Sequence, residues 1–472
     1  MTDHLPLCVD LDGTLIASDT LYDSLAEVLR TCPWRMAEIL MALPRGKLAF
    51  KQALAGIVVP DPAGLPYRVE VLDWIRAESR HRPVFLATAA DQRIAERVAA
   101  HLACFEGVIA SRERNLSGAA KARALEARFG SGGFDYAGNA SIDLEVWRCA
   151  RSAIVVTGDN TLTDRARAVA MVARVFPEDR GKPTPRVWAR AARVHQWVKN
   201  LLLFLAPMAA HRLHEPAVFA EAVLGFIAFC LAASAGYLIN DLVDLPADRA
   251  HSTKRERPIA AGSITVRAGF LGALLLAAAG LMLALALSPG FAGFVAAYLV
   301  LGQAYSAWLK RKVLIDVAVL ATLYSLRVAA GAAAVEVPLS FWLLALSAYG
   351  FVSLALLKRY AELVAEADRA TSVAYRGYRD CDRPVVLAFG AGAGLAASLV
   401  MALYVDSQAS QNLYAHPEYL WLLVAMLTLG IARLWIAAGR GLLHEDPVLH
   451  VFRDRVSLAL GAAAALVVVM AV

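Results

Sequence analysis

Two short acidic runs have a spacing that could do chemistry. In the first, Asp10-Leu11-Asp12-Gly13-Thr14 follows the apolar stretch Leu5-Pro-Leu-Cys-Val9, so two carboxylates stand two residues apart at the end of an expected strand. Asp10 there could attack phosphorus as a nucleophile, while Asp12 could protonate the leaving oxygen and then activate water. In the second, Asn240-Asp241-Leu-Val-Asp244-Leu-Pro-Ala-Asp248-Arg249 sets three aspartates at i, i+3 and i+7, which a helix gathers on one face. So negative a face needs a cation, and oxygen ligands of this kind suit Mg²⁺ shared with substrate phosphates. Arg249, Lys254 and Arg257 lie where they could contact those phosphates directly.

The elements that must position these residues differ in kind. Of 472 residues, 58% are hydrophobic and 19% charged, with a mean hydropathy of +0.52; this excludes a disordered chain and an ordinary soluble enzyme. Residues 1–195 carry mixed charge, whereas 196–472 is mostly apolar runs between short charged loops. Runs long enough to span a bilayer fall near 217–239, 266–288, 290–309, 313–335, 339–357, 384–405, 417–439 and 455–472. A shorter run at 196–210 brings the expected number of transmembrane helices to nine.

Loops 240–265, 310–312, 358–383 and 440–455 hold 16 Lys and Arg, against Arg212 alone in the alternate loops. This positive-inside asymmetry predicts an inner-membrane protein with a cytoplasmic N-terminal domain and an external or periplasmic C-terminus. It also accounts for the net charge of +6 without any role for nucleic acid. The six cysteines are scattered, with no CxxC pair and no zinc spacing, and the N-terminus lacks the pattern of a cleaved signal.

The run from Asn240 to Arg249 resembles the NDxxDxxxDR signature of the UbiA superfamily of intramembrane prenyltransferases, and the resemblance covers roughly 195–472. It implies an all-α membrane domain in which Asn240, Asp241, Asp244 and Asp248 hold Mg²⁺ and a diphosphate ionises. The superfamily's second cluster usually reads DxxxD. Here the corresponding stretch holds Tyr305, the basic triplet Lys310-Arg311-Lys312 and Asp316, with Leu320 where the second carboxylate is expected. Arg327 follows eleven residues after Asp316, on nearly the same helical face, and an arginine within a span points to an anionic ligand.

Further segments add to this: Gln196-Trp-Val-Lys199-Asn200, Tyr324-Ser-Leu-Arg327, Lys358-Arg359-Tyr-Ala-Glu362 and Glu445-Asp446-Pro-Val448. Together they look like one branch of the superfamily, the decaprenyl-phosphate phosphoribosyltransferases. That branch moves 5-phosphoribose from phosphoribosyl pyrophosphate to a polyprenyl phosphate. The resemblance implies catalytic roles for Asp244 and Asp248. It implies substrate contacts for Lys199, Asn200, Arg249, Lys254, Arg257, Tyr305, Lys310, Asp316, Arg327, Lys358 and Glu362.

In the N-terminal half, Asp10 to Thr14 resembles the first motif of haloacid dehalogenase-like phosphatases, over about residues 5–176. Thr88 ends a second strand, Lys121 lies in a basic third element, and Gly138-Asn139-Ala-Ser-Ile-Asp143 stands where GDxxxD is expected. An α/β Rossmann-like domain with a small helical cap is implied, with Asp10, Asp12, Asn139 and Asp143 at the metal and Thr88 and Lys121 on the phosphate. Asn139 departs from the family's aspartate and removes one charge. The expected organisation is therefore a phosphatase domain at 1–176, a linker at 177–194 and a membrane transferase at 195–472. Consecutive reactions would yield polyprenyl-phosphoryl-ribose for cell-envelope glycans. The alternatives are an aromatic-acceptor prenyltransferase with a separate phosphatase, and a scaffold with two degenerate sites. Oligomeric state is left open.

Overall fold

The computed structural model describes residues 5–177, 183–367, 377–443 and 446–472. Of the expected linker, residues 178–182 lie outside this range, and Pro185–Ala191 forms a short helix. The chain divides into two compact units, one of residues up to Ala191 together with Leu238–Gly272, the other of Ala192–Tyr237 and Ala273–Val472.

The first unit is built on a six-stranded parallel sheet, ordered β3-β2-β1-β4-β5-β6. The strands are β1 (Leu7–Val9), β2 (Val84–Asp91), β3 (Gly107–Ser111), β4 (Asp135–Gly138), β5 (Ser152–Val156) and β6 (Met171–Phe176). Both faces are covered, so the central strands are apolar at every position and successive residues feed opposite cores. Leu7, Val9, Leu86, Ala137 and Ile154 enter one core, while Cys8, Phe85, Ala87, Tyr136 and Val155 enter the other. Between β1 and β2 lies the helical cap, whose small core joins Val28, Ile39 and Leu54. Its first helix is α1 (Thr20–Thr31). The strand order reverses between β1 and β4, and it is outside the carboxyl ends of strands at such a point that α/β sheets bind ligands.

The second unit is helical. After a 3-10 segment, Val194–Phe204, come α2 (Leu205–Ala209), α3 (Pro216–Val243), α4 (Leu245–Ala250), α5 (Val266–Leu287), α6 (Pro289–Ala307), α7 (Ile315–Ala334), α8 (Phe341–Ala367), α9 (Arg383–Val405), α10 (Trp421–Gly439), α11 (Pro447–Arg453) and α12 (Arg455–Ala471). The short α4 and the ends of α3 and α5 that adjoin it belong to the first unit. Large apolar side chains such as Leu274, Leu275, Met282 and Leu285 stay exposed on α5, as lipid contact requires. Glycines allow close approach where helices cross: a Cβ at Gly331 of α7 would lie 1.9 Å from the Leu203 carbonyl oxygen.

The expected nine spans are corrected by the structure. Among the described residues seven helices are long and apolar enough to cross a membrane, or eight if α11 and α12, bent by 79° at Asp454, count as one. The run at 196–210 does not make another. It folds as 3-10 helix and a five-residue α-helix, with Lys199 and Asn200 turned to polar partners.

Candidate active sites

In the first unit the loops after β1 and β4 meet. Gly13 has φ +78°, and a side chain there would collide with Asn139, 2.2 Å from its Nδ2; Thr14 donates to Asn139 Oδ1 at 3.2 Å. Lys121, from the helix Ala119–Phe129, is buried and donates to Asp10 Oδ1 and to the Tyr136 hydroxyl, both at 2.8 Å. Thr88 is fully buried, and its hydroxyl accepts the Ala90 N–H. Asp12 accepts the Thr20 N–H at 2.8 Å, at the start of α1. Burial pushes the Asp10 carboxyl up to about 6 even against Lys121. It pushes Asp12 up to about 8, with Asp19 adding to the shift. A carboxyl that keeps its proton at neutral pH suits the acid role expected of Asp12.

Asp143 is differently employed from the expectation of a metal ligand. Its Oδ1 accepts from Tyr136 and its Oδ2 from the Asn139 and Ala140 N–H groups, each at 3.0 Å. It staples the β4 loop, and that leaves Asp10 and Asn139 as the side chains best disposed toward a cation. Asp159, in a second GD-containing run, is exposed and caps the helix Asn160–Arg167. Lys51, which the sequence did not single out, lines a small cleft with Asp12, Thr20 and Asp91.

The aspartate run lies across a helix break. Although α3 stops at Val243, Asp244 N–H still reaches Asn240 O at 2.9 Å and Asp248 N–H reaches Asp244 O at 2.8 Å. The helical register therefore survives Pro246. Arg257 Nη1 bridges Asp241 Oδ1 at 3.2 Å and Asp248 Oδ2 at 2.6 Å. The side-chain oxygen of Asn240 is buried without a hydrogen-bond partner, as a residue meant for a cation would be. Lys254 follows in a 3-10 turn, Lys254–Glu256. Arg249 pairs with Asp23 of α1 at 3.7 Å, a contact that the expectation of phosphate binding did not foresee. Among the described residues no three His, Cys, Asp or Glu side chains form a ready metal cluster, so Asn240 and the charge on Arg257 are part of this site's chemistry.

In the second unit the expected substrate residues sort into three clusters. Arg327 is buried and satisfied from within: Nε donates to Asn200 Oδ1 at 2.9 Å, Nη1 to Leu323 O at 2.5 Å and Nη2 to the Tyr298 hydroxyl at 3.0 Å. Its guanidinium also lies over the Tyr298 ring, 4.7 Å from the centroid. Arg327 and Asn200 thus lock α7 to the 3-10 segment. Asp316 is fully buried and pairs with Arg359 Nε at 2.6 Å while accepting from Tyr378 at 2.8 Å. Arg359 also pairs with Glu362 and donates to Tyr305 at 3.0 Å. The lone carboxylate of the expected second cluster is therefore held by an arginine. Lys310 lies in a 3-10 turn after α6.

The third cluster joins Lys199 and Lys358, whose ammonium groups contact the same oxygen, Asp446 Oδ2, at 2.9 and 3.0 Å. Tyr324 donates to the other oxygen at 3.1 Å. Beside these segments is an apolar cavity of about 580 Å³, lined by Leu202, Leu354, Leu357, Val451 and Leu460 among others. Leu357, next to Lys358 in sequence, and Leu202, one 3-10 turn from Lys199, are among its lining residues. Asp446 was legible in sequence only as a charge beside a proline.

The sequence pattern of the UbiA prenyltransferase family matches residues 201–448. The chain belongs to that family. Similarity extends along nearly its whole length to an uncharacterized Sinorhizobium fredii protein, y4nM, 37% identical over 99% of this chain and 91% of that one. The chain is 42% identical to the decaprenyl-phosphate phosphoribosyltransferase of Mycolicibacterium smegmatis, over 37% of its own length and 56% of that enzyme's. Among solved structures, a UbiA homolog from Archaeoglobus fulgidus bound to GPP and Mg²⁺ is 16% identical, with a TM-score of 0.45 over 60% of this chain and 99% of that one. The protein thus joins a membrane-embedded UbiA-family domain to an N-terminal α/β domain built on a six-stranded parallel sheet.

Proposed function

We propose that the UbiA domain transfers 5-phosphoribose from phosphoribosyl pyrophosphate to a polyprenyl phosphate, and that the N-terminal domain then removes the 5-phosphate. The observation that carries this reading is the lysine pair, Lys199 and Lys358, on segments that also line an apolar cavity: an anionic head with a long apolar chain is the ligand such segments suit. The similarity to decaprenyl-phosphate phosphoribosyltransferases supports it. So does the pairing of Asp316 with Arg359, which removes that carboxylate from any second metal cluster.

In this reaction a lipid phosphate oxygen forms a bond to the anomeric carbon as that carbon's bond to pyrophosphate breaks, and pyrophosphate leaves with the electron pair. Asn240, Asp241, Asp244 and Asp248 would hold Mg²⁺, which when bound supplies Lewis-acid stabilisation of the leaving group. The acceptor is already ionised and needs only positioning, the task of Lys199 and Lys358. Arg327 and Asn200 keep the Lys199 segment in register. At the second site Asp10 attacks phosphorus as the bond from phosphorus to the sugar oxygen breaks, Asp12 protonates that departing oxygen and then takes a proton from the water that hydrolyses the aspartyl phosphate to inorganic phosphate, and Thr88 and Lys121 hold the phosphate. Asp10 and Asn139 would hold the Mg²⁺ of that site. We place both sites on the cytoplasmic face, from the loop charge asymmetry, and assign the product to cell-envelope glycan synthesis.

The test is incubation of the whole protein with Mg²⁺, polyprenyl phosphate and phosphoribosyl pyrophosphate, with lipid products read by mass. Lipid-linked ribose from the parent protein, and lipid-linked ribose 5-phosphate from Asp10→Asn, are expected. Absence of any ribosylated lipid from folded protein overturns the reading.

A further inference from the structure

We infer that Asp446 tunes the acceptor site, lowering its charge so that it fits the phosphodiester product better than the phosphomonoester substrate. The inference rests on the phosphoribosyl-transfer reading and adds a role for a residue that the motifs leave unassigned. Two ammonium groups from separate elements, the 3-10 segment and α8, meet at one carboxylate oxygen, and all three side chains are at least mostly buried. Asp446 lowers by one the positive charge that the two lysines, with Arg327 over the same Tyr324 ring as Lys199, present there.

A lipid phosphomonoester carries nearly two negative charges at neutral pH, and the diester formed from it carries one. As the new bond to the anomeric carbon forms, the acceptor therefore sheds about one charge. A site more positive by one charge would favour the dianionic substrate and would hold electron density on the attacking oxygen. With Asp446 present the balance shifts toward the product and the transition state leading to it. Binding the ground state less tightly than the transition state is what raises turnover. The carboxylate is also firmly placed: Tyr324 holds its Oδ1 at 3.1 Å, and the Val448 N–H reaches the same oxygen at 3.2 Å. It is therefore disposed to remain beside the lysines when phosphate arrives.

The experiment compares the full-length parent with Asp446→Asn and Asp446→Glu. Equilibrium binding of polyprenyl phosphate is measured in detergent, and kcat and KM for ribosylation in parallel. For Asp446→Asn we expect binding tighter by about fivefold and kcat lower by about tenfold or more, an opposed change that marks ground-state binding gained at the expense of turnover. Asp446→Glu, which restores the charge, should return both values most of the way. A purely structural role would instead weaken binding and turnover together, and that result overturns the proposal, as does unchanged binding in a folded Asp446→Asn protein. Because binding is read without turnover, failure of the tuning role is distinguishable from failure of the ribosyl-transfer reading, in which the parent binds the lipid and transfers nothing to it.

Discussion

Gly331→Ala tests whether the packing of α7 on the 3-10 segment sets the acceptor site. The added methyl would lie 1.9 Å from Leu203 O, 2.7 Å from its carbonyl carbon and 2.9 Å from its Cα. These are backbone atoms, so no side chain can swing away. Ordinary contact begins near 3.5 Å, so the segment has to retreat by about 1.5 Å. Asn200 lies one 3-10 turn before Leu203 and moves with it, which breaks the 2.9 Å hydrogen bond from Arg327 Nε. Overpacking costs about 1–3 kcal/mol, and losing a hydrogen bond to a charged group about 1.5–3 kcal/mol, so a loss of about 3 kcal/mol or more is expected. Lys199 is displaced too, and a misplacement of this order costs about 100-fold in catalytic efficiency. Thermal unfolding in detergent and the ribosylation assay read the two effects. Gly350→Ala and Gly392→Ala, whose new methyls meet nothing within 4 Å, serve as controls. A Gly331→Ala protein with the parent's unfolding midpoint and kcat/KM would refute the reasoning.

Other predictions follow from particular contacts. Removing Arg257 with Arg257→Ala takes a shared cation from the buried Asp241 and Asp248, a loss of about 3–5 kcal/mol; added Mg²⁺ should raise the unfolding midpoint of this variant more than that of the parent. Asn139→Asp should tighten Mg²⁺ activation of the phosphatase step by returning a charge to the site while keeping the oxygen that Thr14 contacts, as measured by release of inorganic phosphate from lipid-linked ribose 5-phosphate across a Mg²⁺ titration. Gly13→Ala should abolish that release, because both its φ of +78° and the Asn139 side chain oppose a Cβ, and it should leave ribosylation intact.

The sheet and the aspartate face were legible in sequence because their signals are local. Three apolar residues before Asp10 announce a buried strand, and a spacing of i, i+3, i+7 survives even the proline at 246, since the backbone ladder from Asn240 to Asp248 is kept. The 196–210 run misled because hydropathy registers apolar content and ignores where Lys199 and Asn200 find partners. Their partners, Asp446 and Arg327, are more than a hundred residues away in sequence. Arg327 misled in the same way. An arginine in a span signals a polar partner, and here Asn200, Tyr298 and a backbone carbonyl answer it from within the protein. Asp446 stood out in sequence only as part of a charged segment, because nothing near it in the chain tells a shared counter-ion from a helix cap, and it is both.

Charge balance within each cluster then separates the residues that hold the fold from those that await a ligand. Arg359 meets two carboxylates, Asp316 and Glu362, and has no cause to recruit an anion, whereas Arg327 meets three neutral acceptors that engage each of its nitrogens and leave its charge uncancelled. Around Arg257, Asp241 and Asp248 share one guanidinium nitrogen and an unpartnered Asn240 oxygen lies in the same run, an arrangement suited to a metal ion. Lys199 and Lys358 share one oxygen of Asp446, on segments that also line an apolar cavity. Buried charge left uncompensated is costly, so an excess is kept where a ligand completes it. Lys199→Met with Lys358→Met should accordingly abolish polyprenyl phosphate binding while Mg²⁺ still protects the protein against heat; retained lipid binding by that double variant would place the acceptor elsewhere.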